Sequence, residues 1–100
     1  MSTSSPADLA VAFRSLPRRL KEAAAEDAPP QAVSVAASAV SAAVGRAAGV
    51  LGTADTADAV AAELGSRKAE DWTDSDLVAI QHAADEAARA IRELADVGER

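Results

Sequence analysis

The longest weakly charged stretch of the chain is QAVSVAASAVSAAVGRAAGVL, residues 31–51, with Arg46 as its single charge. A solvated helix would present a charged face, so this stretch predicts a helix packed against neighbours on most of its circumference. At about 100° per residue, Val33, Ala37, Val40, Val44, Ala47 and Leu51 share one side, the expected core side. The opposite side carries Ser34, Ser38, Ser41, Gly45 and Gly49, all small. Small residues let a second backbone come close. A domain this small folds onto its own most buried element, so another helix of the same chain is expected there. The alternative is a docking surface for a partner or a second copy.

The rest of the chain divides into three further helices around this one. Ser5 is a good N-cap, Pro6 suits the first helical position and Asp8 sits where a capping acid belongs. Leu9, Phe13, Leu16 and Leu20 follow at spacings of four, three and four, one apolar stripe. Pro17 falls inside it and predicts a kink near Ser15 and Leu16, since proline removes a backbone donor and crowds the preceding turn. This first helix ends by Asp27, ahead of Pro29 and Pro30. The second opens at Pro30 and loosens at Gly49 and Gly52. A short third helix is expected from Asp55 to Leu64, capped by Thr53 or Asp55 and closed by Gly65. Its apolar side is Ala57, Val60, Ala61 and Leu64. Residues 66–71 form a charged loop.

The fourth helix has the clearest start. Thr73 is its N-cap, Asp76 stands three residues on, and Trp72 and Leu77 are placed to form a hydrophobic staple. Leu77, Ile80, Ala84, Ala87, Ile91 and Leu94 then hold a three-four repeat, a seam for packing on the second helix. Asp85, Arg89 and Glu93 have the spacing of helix-surface pairs, and Gly98 marks the end. No segment alternates apolar and polar residues as a strand would. The expected fold is all-α: a small four-helix bundle, helix one kinked at Pro17 and helix two central. One domain spans 6–97, between flexible tails at 1–5 and 98–100.

Composition narrows the chemistry. Half of the 100 residues are hydrophobic, yet one Phe and one Trp are the only aromatics, so the core must be thin and closely spaced. The absence of Cys removes disulfides, thiolate metal sites and Cys nucleophiles. No apolar run follows a basic N-terminus, so cytoplasmic location is expected. Residues 31–51 match the length of a bilayer-crossing helix, but alanine and serine give little insertion energy. Arg46 would cost about 2.5–3.5 kcal/mol near the bilayer centre. No membrane association is expected.

The net charge of −6 is uneven. Residues 1–50 hold five Lys/Arg against four Asp/Glu, and residues 51–100 hold five against twelve. An acidic half disfavours nucleic acid and suits a basic protein partner. Arg14, Arg18 and Lys21, with Arg19 nearby, form a small cationic patch on the first helix, a candidate anion contact. Glu22 and Glu26 offer it local pairing, and no aromatic side chain is interleaved to stack on bases.

The sequence holds no residue constellation that predicts catalysis or metal binding. Glu70, Asp71, Asp74 and Asp76 are the densest acidic cluster, but counted as a calcium loop from Asp71, Asp76 replaces the needed Gly and His82 the closing Glu. Acids there suit a helix N-terminus instead. His82, the single histidine, lies with Val78, Asp85 and Arg89 away from the seam and has no serine or threonine nucleophile at a matching position. Gly49–Gly52 lacks the Lys and glycine spacing of a phosphate loop. The sequence thus predicts a non-enzymatic protein that works by protein contact or self-association, through Ser34, Ser38, Ser41, Gly45 and Gly49. No cofactor or small-molecule ligand is identifiable. The alternative is a nucleic-acid-associated regulator using the patch on helix one.

Overall fold

The structure is a computed structural model that describes residues 5–24, 28–67 and 69–98. Of the tails expected at 1–5 and 98–100, residues 1–4 and 99–100 lie outside these residues, as do the pairing of Glu26 and the helix end at Asp27, while Ser5 caps α1 and Gly98 is the last residue of α4. The described chain forms α1 (Pro6–Ala23), α2 (Pro30–Leu51), α3 (Ala57–Ser66), a 3-10 turn (Ala69–Asp71) and α4 (Asp74–Gly98). It is a small four-helix bundle.

Helix starts follow local chemistry. Ser5 is extended and its hydroxyl accepts from the Asp8 amide at 3.2 Å, with Pro6 at the first helical position. Thr73 caps α4 in the same way, accepting from the Asp76 amide at 3.1 Å. α2 ends at Gly52, whose φ of 68° is left-handed and releases the chain from the helix. The third helix departs from expectation at both ends. Thr56, and neither Thr53 nor Asp55, accepts from the Ala59 amide at 3.1 Å. Gly65 lies inside the helix, which stops at Ser66 with Arg67 as the cap residue. α1 continues unbroken through Pro17, which faces solvent while Leu9, Phe13 and Leu16 are buried.

Packing is in two pairs. α2 runs against α4 and α1 against α3; α4 also contacts α1, whereas α1 and α2 barely meet. The Arg46–Glu86 ion pair ties α2 to α4, and residues 29–39 share a groove with residues 90–97. The two helices are therefore antiparallel, with paired residue numbers summing to about 131. That register sets Val40 level with Ile91, Ala47 with Ala84 and Leu51 with Ile80, all buried. The predicted seam of α4 is therefore correct, with Leu77 only half-buried at its start.

The second helix needs two corrections. Its buried residues are Ala36, Val40, Ala43, Val44, Ala47, Ala48 and Leu51, while Val33 and Ala37 are half-buried. The predicted core face holds from Val40 onward and drifts before it. Nor is the helix covered on most of its circumference: Gln31, Ser34, Val35, Ser38, Ser41, Ala42, Arg46, Gly49 and Val50 are exposed. The helix that could have covered them, α1, packs on α3 and α4 instead. The core is correspondingly distributed, with Phe13, Leu9, Leu16, Leu64, Ile80 and Val60 as its largest fully buried side chains.

Candidate protein-contact face

The five small residues singled out on α2 come out on one open face. Ser34, Ser38, Ser41 and Gly49 are exposed and Gly45 is half-buried. A Cβ built on Gly45 or Gly49 would meet no atom within 4 Å. Among the described residues no other helix lies there, which overturns the expectation that one would. Val35, beside Ser34 and Ser38, is 66% exposed. The face is thus a stripe of small side chains interrupted by one large apolar one.

Towards the start of α2 this face runs into a groove of about 460 Å³, lined by Ala32, Val35, Ala39, Ala90, Leu94 and Val97 among others. Its walls are apolar, with Gln31 and Glu93 as the polar lining. The sequence alone gave no hint of this groove, because it arises from the relative lengths and register of α2 and α4. By length and composition α2 could cross a membrane, yet such a helix is weak evidence of spanning, and a third of its most apolar window is buried within the bundle.

The other candidates disperse. Arg14, Arg18 and Lys21 are all exposed, and Arg14 and Arg18 border a depression of about 300 Å³ with Val11 and Ser15. Arg18 pairs with Glu22 at 3.9 Å, and Arg19 is half-buried. His82 is exposed, as expected, and Asp85 accepts from Gln81 at 3.0 Å. Asp85–Arg89 and Arg89–Glu93 do not form ion pairs. Glu70, Asp71 and Asp74 are exposed, and among the described residues no group of three or more His, Cys, Asp or Glu is arranged to hold a metal.

Arg67 is a residue the sequence did not single out. Its Nη2 donates to the Leu51 carbonyl at 2.7 Å, its Nε donates to Glu63 Oε1 at 2.9 Å, and its guanidinium lies 5.2 Å from the Trp72 ring centroid. One side chain thus ties the end of α2 to the end of α3 and to the approach to α4. A cation at the last carbonyls of α2 also suits the negative end of that helix. Trp72 is half-buried and packs against the core together with Leu77. These contacts hold the ends of α2 and α3 and the approach to α4 together. Comparison with models of known families, with curated proteins and with solved structures found no match.

Proposed function

We propose that the chain is a non-enzymatic contact module of the cytoplasm, which acts by docking another protein chain on the open face of α2. The carrying observation is the pair Gly45 and Gly49. Glycine inside a helix costs about 0.8–1.0 kcal/mol relative to alanine. Neither residue has a left-handed backbone or a neighbour that would exclude a methyl group. The single chain gives no reason for two such costs in succession. Close approach of a second backbone does, because small residues at a helix interface shorten the distance between axes. Ser34, Ser38 and Ser41 extend the same stripe.

Placing a photo-crosslinking residue at Ser38 tests this reading in living cells of the source, with His82 on the exposed side of α4 as the control position. A discrete protein adduct from position 38, absent from position 82, supports it. Equal or absent adducts at both positions would end it.

A further inference from the structure

We infer that the solvent-facing side of α1, from Val11 to Lys21, docks an acidic segment of another protein that carries an apolar side chain among its carboxylates. This surface lies on a different helix from the α2 face and does not depend on it.

Acids are missing from this side although the chain has them in excess. Asp and Glu outnumber Lys and Arg by 16 to 10 overall, yet between Asp8 and Glu22 stand Arg14, Arg18, Arg19 and Lys21 and no acid. Arg14, Arg18 and Lys21 are exposed, while Leu9, Phe13 and Leu16 are buried on the other side. The positions three and four residues from Arg14, where a helix would place a pairing acid, hold Ala10, Val11, Pro17 and Arg18. Among the described residues no acid pairs with Arg14. Arg18 stands four residues from Arg14 and three from Lys21, spacings at which like charges repel. Its one acid, Glu22, is 3.9 Å away, and the two side chains are 77% and 71% exposed. A surface that serves solubility alone intersperses the two signs. The negative end of the helix accounts for Lys21, in the last turn. It does not account for Arg14, because that effect falls off within one turn.

The shape of the face narrows the partner. Val11, Arg14, Ser15 and Arg18 line a depression of about 300 Å³, and Val11 is 65% exposed. An apolar side chain seated against Val11 would have a guanidinium on either side of it, each able to hold a carboxylate through two parallel N–H bonds. The stripe from Val11 to Lys21 is about 15 Å long, roughly three turns of a partner helix. A nucleic-acid backbone fits less well. Its charges recur every ~1.7 Å, so three exposed cations would neutralise little of it, and the −6 chain repels the remainder. The one aromatic side chain of α1, Phe13, is buried and cannot stack on a base. A short acidic segment meets the cations directly, and physiological salt screens charges more than ~8 Å away.

Titration of the full chain, labelled with nitrogen-15, with a synthetic amphipathic helical peptide of Glu, Leu and Ala tests the inference. Peptides with Gln in place of Glu and a duplex DNA serve as the other arms. The expected result is saturable binding of the acidic peptide, weakened by salt, with amide shifts concentrated between Val11 and Lys21. Arg14→Glu and Arg18→Glu should each weaken it by about tenfold or more, and Val11→Ser should weaken it too, all with helical content unchanged. Arg89→Glu, at an exposed position of α4, should leave it as it was. Absence of binding at low salt, shifts centred on another helix, or equal losses from Arg14→Glu and Arg89→Glu would overturn the inference. So would a Gln peptide or a DNA that binds as tightly as the acidic peptide. The α2 reading is judged separately, by the adduct at Ser38.

Discussion

Arg46 of α2 pairs with Glu86 of α4 across forty residues of chain, and so fixes the one charge of the apolar helix at the edge of its contact with its neighbour. The pair marks the register of the two longest helices without being a large source of their stability. Both side chains are at least half exposed, 57% and 50%, and exposed pairs contribute about 0–1 kcal/mol. Arg46→Ala should therefore lower the urea-unfolding free energy by less than about 1 kcal/mol, and added salt should shrink the difference. A double-mutant cycle with Glu86→Ala measures the coupling directly.

Arg67 should matter more. It is partly buried and bonds both a helix-terminal carbonyl and a carboxylate. Hydrogen bonds to charged groups contribute about 1.5–3 kcal/mol. Arg67→Ala is expected to cost that much in chemical denaturation. Arg67→Lys should recover only part, because an ammonium cannot reproduce the planar fork. A loss no larger than that of Arg46→Ala would show that the Arg67 contacts contribute little in solution.

The phase of α4 predicts a contrast between neighbouring apolar residues. Ile91 is buried on the α2 side, so Ile91→Ala should cost about 2–5 kcal/mol. Val78 faces solvent, and Val78→Ala should change stability by within about 0.5 kcal/mol. Leu77 is only half-buried, so Leu77→Ala should fall between them. Thermal or urea unfolding of the three variants checks the order.

The two helical glycines separate folding from contact. With open space where a Cβ would stand, Gly45→Ala and Gly49→Ala should each stabilise the isolated chain, by up to about 1 kcal/mol. The same changes should weaken the partner adduct at Ser38, since each methyl group holds a docking helix away. Stabilisation without any effect on the adduct would remove the glycines from the interface.

No appreciable nucleic-acid binding is expected from α1. Its exposed cations are few, one is paired with Glu22, and the chain is acidic as a whole. Gel-shift assays with duplex DNA and single-stranded RNA at low salt should show free probe. A shift that falls steeply with salt and disappears in Arg14→Glu would move the function to that patch.

Much of this bundle could be read from residue order because its signals are local. Ser5–Pro6 and Thr73 announce their helices, and the α4 repeat from Ile80 to Leu94 states its buried side. Where several local signals compete, reading fails: Thr53, Asp55 and Thr56 could all cap α3, and only the backbone geometry selects Thr56. Gly65 has the chemistry of a helix terminator, yet α3 continues one residue beyond it. The larger misreading concerned α2. A nearly uncharged helix implies cover on all sides only if enough helices pack against it, and periodicity does not reveal that α1 prefers α3. The five small residues were visible in the sequence, but their openness was not. The groove at Val35 and Val97, and the three contacts of Arg67, depend on tertiary register and have no local signature.

The openness of the α2 face underlies the functional reading, and thiol labelling tests it directly because the chain has no native cysteine. Ser38→Cys and Val40→Cys would be labelled separately at dilute concentration, where self-association is negligible. Ser38→Cys should react about as fast as an unfolded peptide, and Val40→Cys should be strongly protected until denaturant is added. Equal protection at both positions would mean that the chain covers this face itself, and the contact surface described for α2 would not exist.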